Sequence, residues 1–420
     1  RQQWFTREQL KEYQDERQRM LVNHCYERVP YYRDLMTKNK LKPSDLRSVD
    51  DLAKLPPLTR DDIRTHLHEM VADNIDHSRL ILGHTSGTTG SPLEFYYDAY
   101  TCLIKNVADW RQKRTAGINP GDRMAFFLGR VVVPITQTKP PFWRKNWLLN
   151  HLFFSSFHMS PSNLAIYAQQ LKSFRPAAVE GYPSTMFIIA SYLLSTNQTF
   201  PLKAAFTSSE TLFPHQREAI EKAFECKLYD FYGMAERVVF ATECEAHKGR
   251  HLNEDFGITE VMSADGSPAK PGEMGRICAT GLHNFAMPLL RYVTSDITAL
   301  KTSPCSCGRQ FPLMEDITTK DEDIITTLDG RYISSSILTH PFKPMHMIEE
   351  SQIIQEDRDH IRIKIVRRPD YQDKDSEHLL SEFRKRVGEG MKVEIEFVNS
   401  IERTKTGKFR WVISKVPLKF

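Results

Sequence analysis

No part of this 420-residue chain is apolar for long enough to cross a bilayer. The longest such run, Met186 to Leu194, is broken by Ser191, and a spanning helix needs about 20 apolar residues. An excess of one charge is also missing: 57 basic and 53 acidic side chains leave a net charge of +4, so no overall field points to nucleic acid or to an anionic membrane. The opening segment RQQWFTREQLKEYQDERQ is too charged for a secretory signal peptide. With neither signal, cytoplasmic residence without membrane insertion is the expectation, and the missing initiator Met leads us to expect that the chain begins inside a longer sequence. Cysteine is sparse, and seven in a chain of this size do not make a disulfide framework. Cys25, Cys102, Cys226 and Cys278 stand in apolar or helical surroundings and read as reduced structural residues. Internal repeats and low-complexity linkers are absent as well. What remains is an ordinary globular composition, 40% hydrophobic and 26% charged, with length for one large domain and a smaller one.

The most informative stretch is Leu80 to Asp98, LILGHTSGTTGSPLEFYYD. Thr85, Ser86, Gly87, Thr88, Thr89 and Gly90 form a run of hydroxyls and glycines between two strand-like segments. Glycines let the backbone approach a ligand, and hydroxyls with exposed N–H groups suit phosphate oxygens. A phosphate cradle and a plain polar hairpin loop both fit these residues taken alone. The P-loop NTPase pattern is excluded, because Gly-Lys-Ser/Thr is missing and Leu93 to Tyr97 reads as a strand rather than a helix.

Ahead of this loop the chain reads as helical. Thr6 and Gln9 suggest a capping box, Arg28 to Tyr32 interrupts the pattern, a short helical piece covers Ser48 to Leu55, and Thr59 caps another. After a helix over Ala99 to Ala116, strands at Arg123–Leu128, Ala177–Glu180, Leu202–Thr207 and Lys227–Phe231 alternate with helices at Ser162–Phe174, Pro183–Leu194 and Pro214–Phe224. That alternation predicts α/β architecture with a parallel sheet, whose ligand loops lie at the carboxyl ends of the strands. Gly257 to Leu300 has the texture of a β-rich subdomain. The last hundred residues predict a small α+β domain, with strands at Ser351–Gln355, Ile361–Arg367 and Val393–Val398 and a helix at Ser376–Val387.

Three more polar signatures end strands or β segments: Thr207-Ser208-Ser209-Glu210-Thr211, Phe231-Tyr232-Gly233-Met234-Ala235-Glu236 and Arg291-Tyr292-Val293-Thr294-Ser295-Asp296. Arg403-Thr404-Lys405-Thr406-Gly407-Lys408 follows near the end. In this order and spacing the set resembles the adenylate-forming superfamily of acyl-CoA synthetases, most closely its phenylacetate-CoA ligase-like branch, including the group linked to capsular polysaccharide biosynthesis. The resemblance implies a large N-terminal multi-subdomain region at 1–319 that binds ATP and carboxylate, and a small mobile C-terminal lid domain at 320–420. It also implies a two-step reaction, in which a carboxylate attacks the α-phosphate of ATP to give acyl-AMP and pyrophosphate before a nucleophile takes the acyl group.

Roles follow from the matched positions. Thr85 to Gly90 would hold the β- and γ-phosphates; Ser208, Ser209 and Glu210 would line the adenine pocket; Tyr232, followed by Gly233, would pack on adenine; and Asp296 would accept from the ribose hydroxyls. Glu236 would bind Mg²⁺ and Lys408 would stabilise the transition state. Lys320, at the hinge of the family, carries a ribose or hinge contact without the guanidinium fork of the usual Arg. Ser91, Val293, Ser295 and Thr319 also depart from the common pattern, which bears on individual nucleotide contacts rather than on the reaction.

Cys244, His251, Cys305 and Cys307 offer the donors of a tetrahedral Zn²⁺ site, with His247 competing for the histidine place and Gly308 allowing a tight turn; buried free thiols are the other reading. Some members of the resembled branch carry a structural zinc here. The family's acyl pocket maps to His151–Met159 and Glu180–Ser184, making His158, Phe157 and Tyr182 candidates for substrate contact, although the phenylalanines equally suit a core. Coenzyme A is the expected acceptor. An amine, such as an amino sugar or amino acid, is the alternative, and a catalytically silent nucleotide-binding homologue is a third. The expected partners are a small carboxylate, ATP and the acceptor, with no nucleic acid; oligomeric state is not legible.

Overall fold

The computed structural model describes residues 2–85, 93–263, 265–317, 324–333, 335–342, 344–345, 347–402 and 410–416. Ser86 to Ser91, Thr319, Lys320, Arg403 to Lys408 and the expected border between 319 and 320 therefore lie outside the described residues. The chain divides into two compact units, the first comprising Arg1–Thr85, Leu93–Thr115 and Phe231–Thr318, the second Ser86–Pro92, Ala116–Asp230 and Thr319–Phe420.

The first unit opens with helix Arg7–Arg28, started by the expected capping box: the Thr6 hydroxyl accepts the Gln9 N–H and the Gln9 side chain accepts the Thr6 N–H. Its buried face carries Leu10, Gln14, Gln18, Leu21, Val22 and Cys25. Both buried amides donate to backbone carbonyls, Gln14 to that of Glu254 and Gln18 to that of Leu46. Pro30 at the first helical position restarts the chain as Pro30–Lys38. The piece expected at Ser48–Leu55 is a 3₁₀ turn, Val49–Lys54, and Thr59 caps Arg60–Thr65 through Asp62. The β-rich region is a three-stranded antiparallel sheet of Gly257–Met262, Gly275–Gly281 and Tyr292–Thr298. Leu58 bridges to Tyr292 in parallel, exchanging hydrogen bonds with Arg291 and Val293, which sets the start of the Arg60 helix beside the Tyr292 strand. One apolar core joins the helical arm to these strands through Leu21, Tyr32, Leu52, Phe95, Ala279 and Tyr292.

In the second unit, the strands run in the order Ala204–Ser208, Ala178–Gly181, Met124–Phe127, His151–Phe154 and Trp143–Asn146, with the start of the strand at 227–230 beside Ala204–Ser208. Pairing from Ala204–Ser208 across to His151–Phe154 is parallel, and the last strand closes antiparallel as a hairpin. The central strands are buried at every residue, as expected of a sheet covered on both faces. The covering helices are Pro161–Phe174, Pro183–Ser195 and Pro214–Phe224, and their inner residues form one core with the sheet, including stacked Phe127 and Phe154 rings 4.6 Å apart. The C-terminal part is α+β: strands Lys392–Phe397, His360–Arg367, Ile348–Gln355 and Val412–Ser414 in that order, with helix Asp373–Val387. The chain is thus α/β with a β-rich section and a small α+β end, and no helix among the described residues is long and apolar enough to cross a membrane.

Candidate active site

Within the first unit, strands Ile81–His84 and Glu94–Tyr97 pair antiparallel and hold both ends of the Gly/Ser/Thr loop. Thr85 continues the ladder, its N–H donating to the Leu93 carbonyl at 3.0 Å. The Thr85 hydroxyl accepts from the Leu93 N–H at 2.9 Å and from the Arg60 guanidinium at 3.2 Å. Thr85 is thereby pinned as the anchor of the loop.

Arg60 also faces Glu236, the residue expected to hold Mg²⁺. Glu236 is buried and receives the Tyr292 hydroxyl on Oε1 at 3.0 Å. Burial lifts its carboxyl above the ordinary carboxylate range and Asp296 adds to the lift, against the pull of a backbone N–H, Arg60 and Tyr292. Tyr232 makes a matching pair, donating its hydroxyl to Asp296 Oδ2 at 2.7 Å. Burial raises both tyrosines well above their ordinary value, so both are neutral donors. Two carboxylates of one polar cluster are each oriented by a phenol, and such a pair of like charges favours a cation. Gly233 ends its strand, and a Cβ there would meet the Phe240 ring at 3.1 Å.

Sequence reasoning did not single out Arg60 or Tyr292. Tyr292 stands inside a recognised motif, but nothing local distinguishes Arg60, which reaches the cluster only because Leu58 pairs with the Tyr292 strand. Arg291 has a structural role, forming a two-point ion pair with Glu260 and donating to the Leu55 carbonyl.

In the second unit, the carboxyl ends of the parallel strands carry the other candidates. Ser208 ends its strand, and Ser209 takes a left-handed conformation with φ of 73°, which costs a non-glycine residue about 1–3 kcal/mol and clusters at ligand loops. Glu210 accepts the Ser184 N–H at 3.0 Å, so it caps the helix Pro183–Ser195 whose N-cap is Tyr182. Burial, then Glu210, pushes the Tyr182 phenol up to about 12. Its ring closes on Gly129, where a Cβ would lie 2.8 Å from it. The structure thus brings Tyr182 and Glu210 together at one strand edge. Phe157 and His158 sit elsewhere: Phe157 packs with Ile325 and Ile337 in an apolar core. His158 is buried, stacked on Phe142 at 4.7 Å and hydrogen-bonded through Nδ1 to the Ser155 hydroxyl at 2.7 Å. Burial, reinforced by Arg331, holds its pKa below the ordinary range.

The thiol cluster belongs to the first unit. Cys244 follows strand Phe240–Glu243, His251 lies in Arg250–Leu252, and Cys305 and Cys307 stand on the loop before Leu313–Met314. Their ligand atoms all lie within 4.8 Å of one another. Cys244 and Cys305 sulfurs are 3.6 Å apart, and Cys307 is 3.3 Å from His251 Nε2. A disulfide requires about 2.05 Å, whereas the edges of a zinc tetrahedron are roughly 3.5–3.8 Å from its bond lengths. His251 Nδ1 faces the Phe311 carbonyl at 2.9 Å, the partner that presents Nε2 as a ligand. Burial pushes the Cys244 thiol up to about 12; at Cys307 burial acts in the same direction but is outweighed by hydrogen bonds from Arg309 and the neighbouring thiols. Gly308 turns with φ of 83°. His247 is not in the quartet and pairs with Glu243. The donor set fits a closed zinc site.

The chain is similar to known proteins over most of its length. Residues 325–415 match the CapK C-terminal domain. The chain is 29% identical to Protein CapK of Staphylococcus aureus over 413 residues, covering 97% of this chain and 90% of the relative. It is 27% identical to a phenylacetate-coenzyme A ligase of Thermus thermophilus, covering 76% of this chain and 72% of that one. The crystal structure of a 2-hydroxyisobutyryl-CoA ligase, in complex with 2-HIB-AMP and CoA, has the same fold, with a TM-score of 0.65, 22% identity, and coverage of 98% of this chain and 91% of the other.

Proposed function

Because this chain is a relative of the phenylacetate-CoA ligase-like, CapK-containing branch of the adenylate-forming enzymes, we propose that it is an AMP-forming acid ligase. It joins a small carboxylate to AMP at the expense of ATP, releases pyrophosphate, and passes the acyl group to coenzyme A as a thioester. The observation that carries this reading is the pair of phenol-oriented carboxylates, Tyr292 on Glu236 and Tyr232 on Asp296, in a chain similar over 76% of its length to a phenylacetate-coenzyme A ligase.

Glu236 would take Mg²⁺, which offsets charge developing on phosphate oxygens; Asp296 would accept from ribose hydroxyls; Ser208, Ser209, Glu210 and Tyr232 would surround adenine. The loop Ser86–Gly90, tethered at Thr85, would hold the outer phosphates, and Lys408 would meet the charge that develops during attack. Tyr182 is the substrate-side residue best placed at a strand end; Phe157 and His158 stay candidates for substrate contact. The zinc we propose at Cys244, His251, Cys305 and Cys307 would use protein donors in all four positions, so its work is structural. The cytoplasm supplies ATP and coenzyme A, and we place the activity there. A second reading keeps the adenylation and transfers the acyl group to an amine, such as an amino sugar or amino acid.

Pyrophosphate release from ATP and Mg²⁺ should be measured against aromatic, aliphatic, hydroxy and amino acids, with and without coenzyme A. Release with one acid and no acceptor, stimulated further by coenzyme A, is the expected result. Release that an amine stimulates and coenzyme A does not would select the amide ligase. Silence across the panel with ATP binding intact would overturn the enzyme reading in favour of a silent binder.

A further inference from the structure

The near balance of charge over the whole chain conceals a one-sided segment. Between Asp122 and Glu180 there is no acidic residue, while seven lysines and arginines occur. This segment contains the hairpin of Trp143–Asn146 and His151–Phe154, paired from Trp143 opposite Phe154 to Asn146 opposite His151. Its four-residue tip is closed by the Asn146 side chain accepting the Leu149 N–H at 3.1 Å and by Asn150 in the left-handed region. The tip carries three consecutive large apolar side chains turned outward: Trp147 is 76% exposed, Leu148 91% and Leu149 49%. Scattered exposed leucines are ordinary, but a Trp-Leu-Leu run at a protruding turn is not.

Basic groups ring this tip. Arg144 is exposed beside it, and the Lys145 ammonium lies 3.5 Å over the Trp147 ring and 5.5 Å over that of Phe174. Arg175 follows Phe174, and the Arg123 carbonyl accepts the Ala177 N–H, so these cations gather at the same end of the sheet. The acid nearest in sequence, Asp122, is taken up by Lys203.

We propose that this hairpin tip docks the protein onto an anionic lipid bilayer, with Trp147, Leu148 and Leu149 entering the headgroup boundary and Arg144, Lys145, Arg123 and Arg175 facing the phosphates. Indole rings favour that boundary, and short apolar insertions backed by cations lie on a membrane without spanning it, in keeping with the lack of a spanning helix among the described residues. Charge complementarity selects anionic lipid over a second copy of this chain, whose matching tip would carry the same cations. The proposal is independent of the catalytic reading and places the enzyme surface where an acceptor or product at the membrane is within reach.

The full-length protein should be centrifuged with vesicles of phosphatidylcholine alone and of phosphatidylcholine with about a quarter phosphatidylglycerol. Binding to the anionic vesicles only, weakened severalfold between about 0.1 and about 0.5 M salt, is the expected result. Leu148→Ser should weaken it about tenfold. Arg144→Glu with Lys145→Glu should weaken it by at least about tenfold, since each lipid-facing cation contributes roughly fivefold. Leu103→Ser, at another exposed leucine, should leave it unchanged. The variants alter exposed side chains, and matching urea midpoints would verify their folding. Absence of binding to anionic vesicles, or binding indifferent to the tip variants, would overturn the proposal. So would self-association in sedimentation velocity that Leu148→Ser abolishes without any vesicle binding, which would assign the tip to a second copy.

Discussion

Tyr292→Phe removes one hydroxyl, the donor to Glu236 Oε1 at 3.0 Å, and in combination with Glu236→Gln it tests whether a charge is held at this point. A hydrogen bond to an ionised group contributes about 1.5–3 kcal/mol, a neutral one about 0.5–1.5. Tyr292→Phe should therefore cost about 2 kcal/mol in the parent and about 1 kcal/mol beside the neutral amide of the Glu236→Gln background, a coupling near ~1 kcal/mol. The sign of Glu236→Gln alone follows from the raised pKa. A carboxyl lifted above its ordinary 4.5 binds a proton more readily in the native than in the unfolded state. Its favourable contribution is fully present below 4.5 and is lost as pH rises through the lifted native value. Near pH ~7 the Glu236→Gln variant escapes that cost, so it should be as stable as the parent or more so, while adenylation falls about a hundredfold or more. Urea unfolding of the four proteins at neutral pH, compared at constant slope, measures the cycle. Equal cost of Tyr292→Phe in both backgrounds, or a Glu236→Gln protein that is destabilised yet fully active, would refute the reasoning.

Freshly purified protein should contain about one zinc per chain; Cys305→Ser should lower that ratio and the unfolding midpoint, His247→Gln should change neither, and metal-free protein of full stability would contradict the site. Lys408→Ala should slow pyrophosphate release about a hundredfold or more while calorimetric ATP binding changes little; equal loss of both would make Lys408 a binding residue only. His158 is kept neutral by burial and Arg331, below its ordinary 6.5, and unfolding frees it to take a proton. Its contribution to stability is full above 6.5 and is lost as pH falls from there through the depressed native value. His158→Gln should accordingly flatten the stability profile below pH 6.5, and a profile unchanged by the substitution would count against the burial argument.

Much of the molecule was legible because its signals are local. A capping box needs only Thr6 and Gln9, a prolyl helix start only Pro161, Pro183 or Pro214, and a buried strand only a short apolar run; these elements appear within a few residues of expectation. The ordered motifs at Ser208 to Glu210, Tyr232 to Glu236 and Arg291 to Asp296 likewise pointed to a reaction class, through the family that their order and spacing resemble. The strands Trp143–Asn146 and His151–Phe154 were not foreseen, since their hairpin is specified by pairing across a tip whose Trp-Leu-Leu sequence looks like core.

What the sequence by itself determined was the list of elements, the polar signatures and the thiol-rich inventory, all of which depend on near neighbours. Tertiary structure alone decided which partners those side chains have. Tyr292 reaches Glu236 across 56 positions and Tyr232 reaches Asp296 across 64; Arg60 joins them only through the pairing of Leu58 with the Tyr292 strand. The choice of His251 over His247 is of the same kind, because His251 shares a ladder with the strand after the Cys305 loop while His247 lies outside it. Such contacts depend on long-range register and on burial, which set the local dielectric and so the strength of every charge in the site.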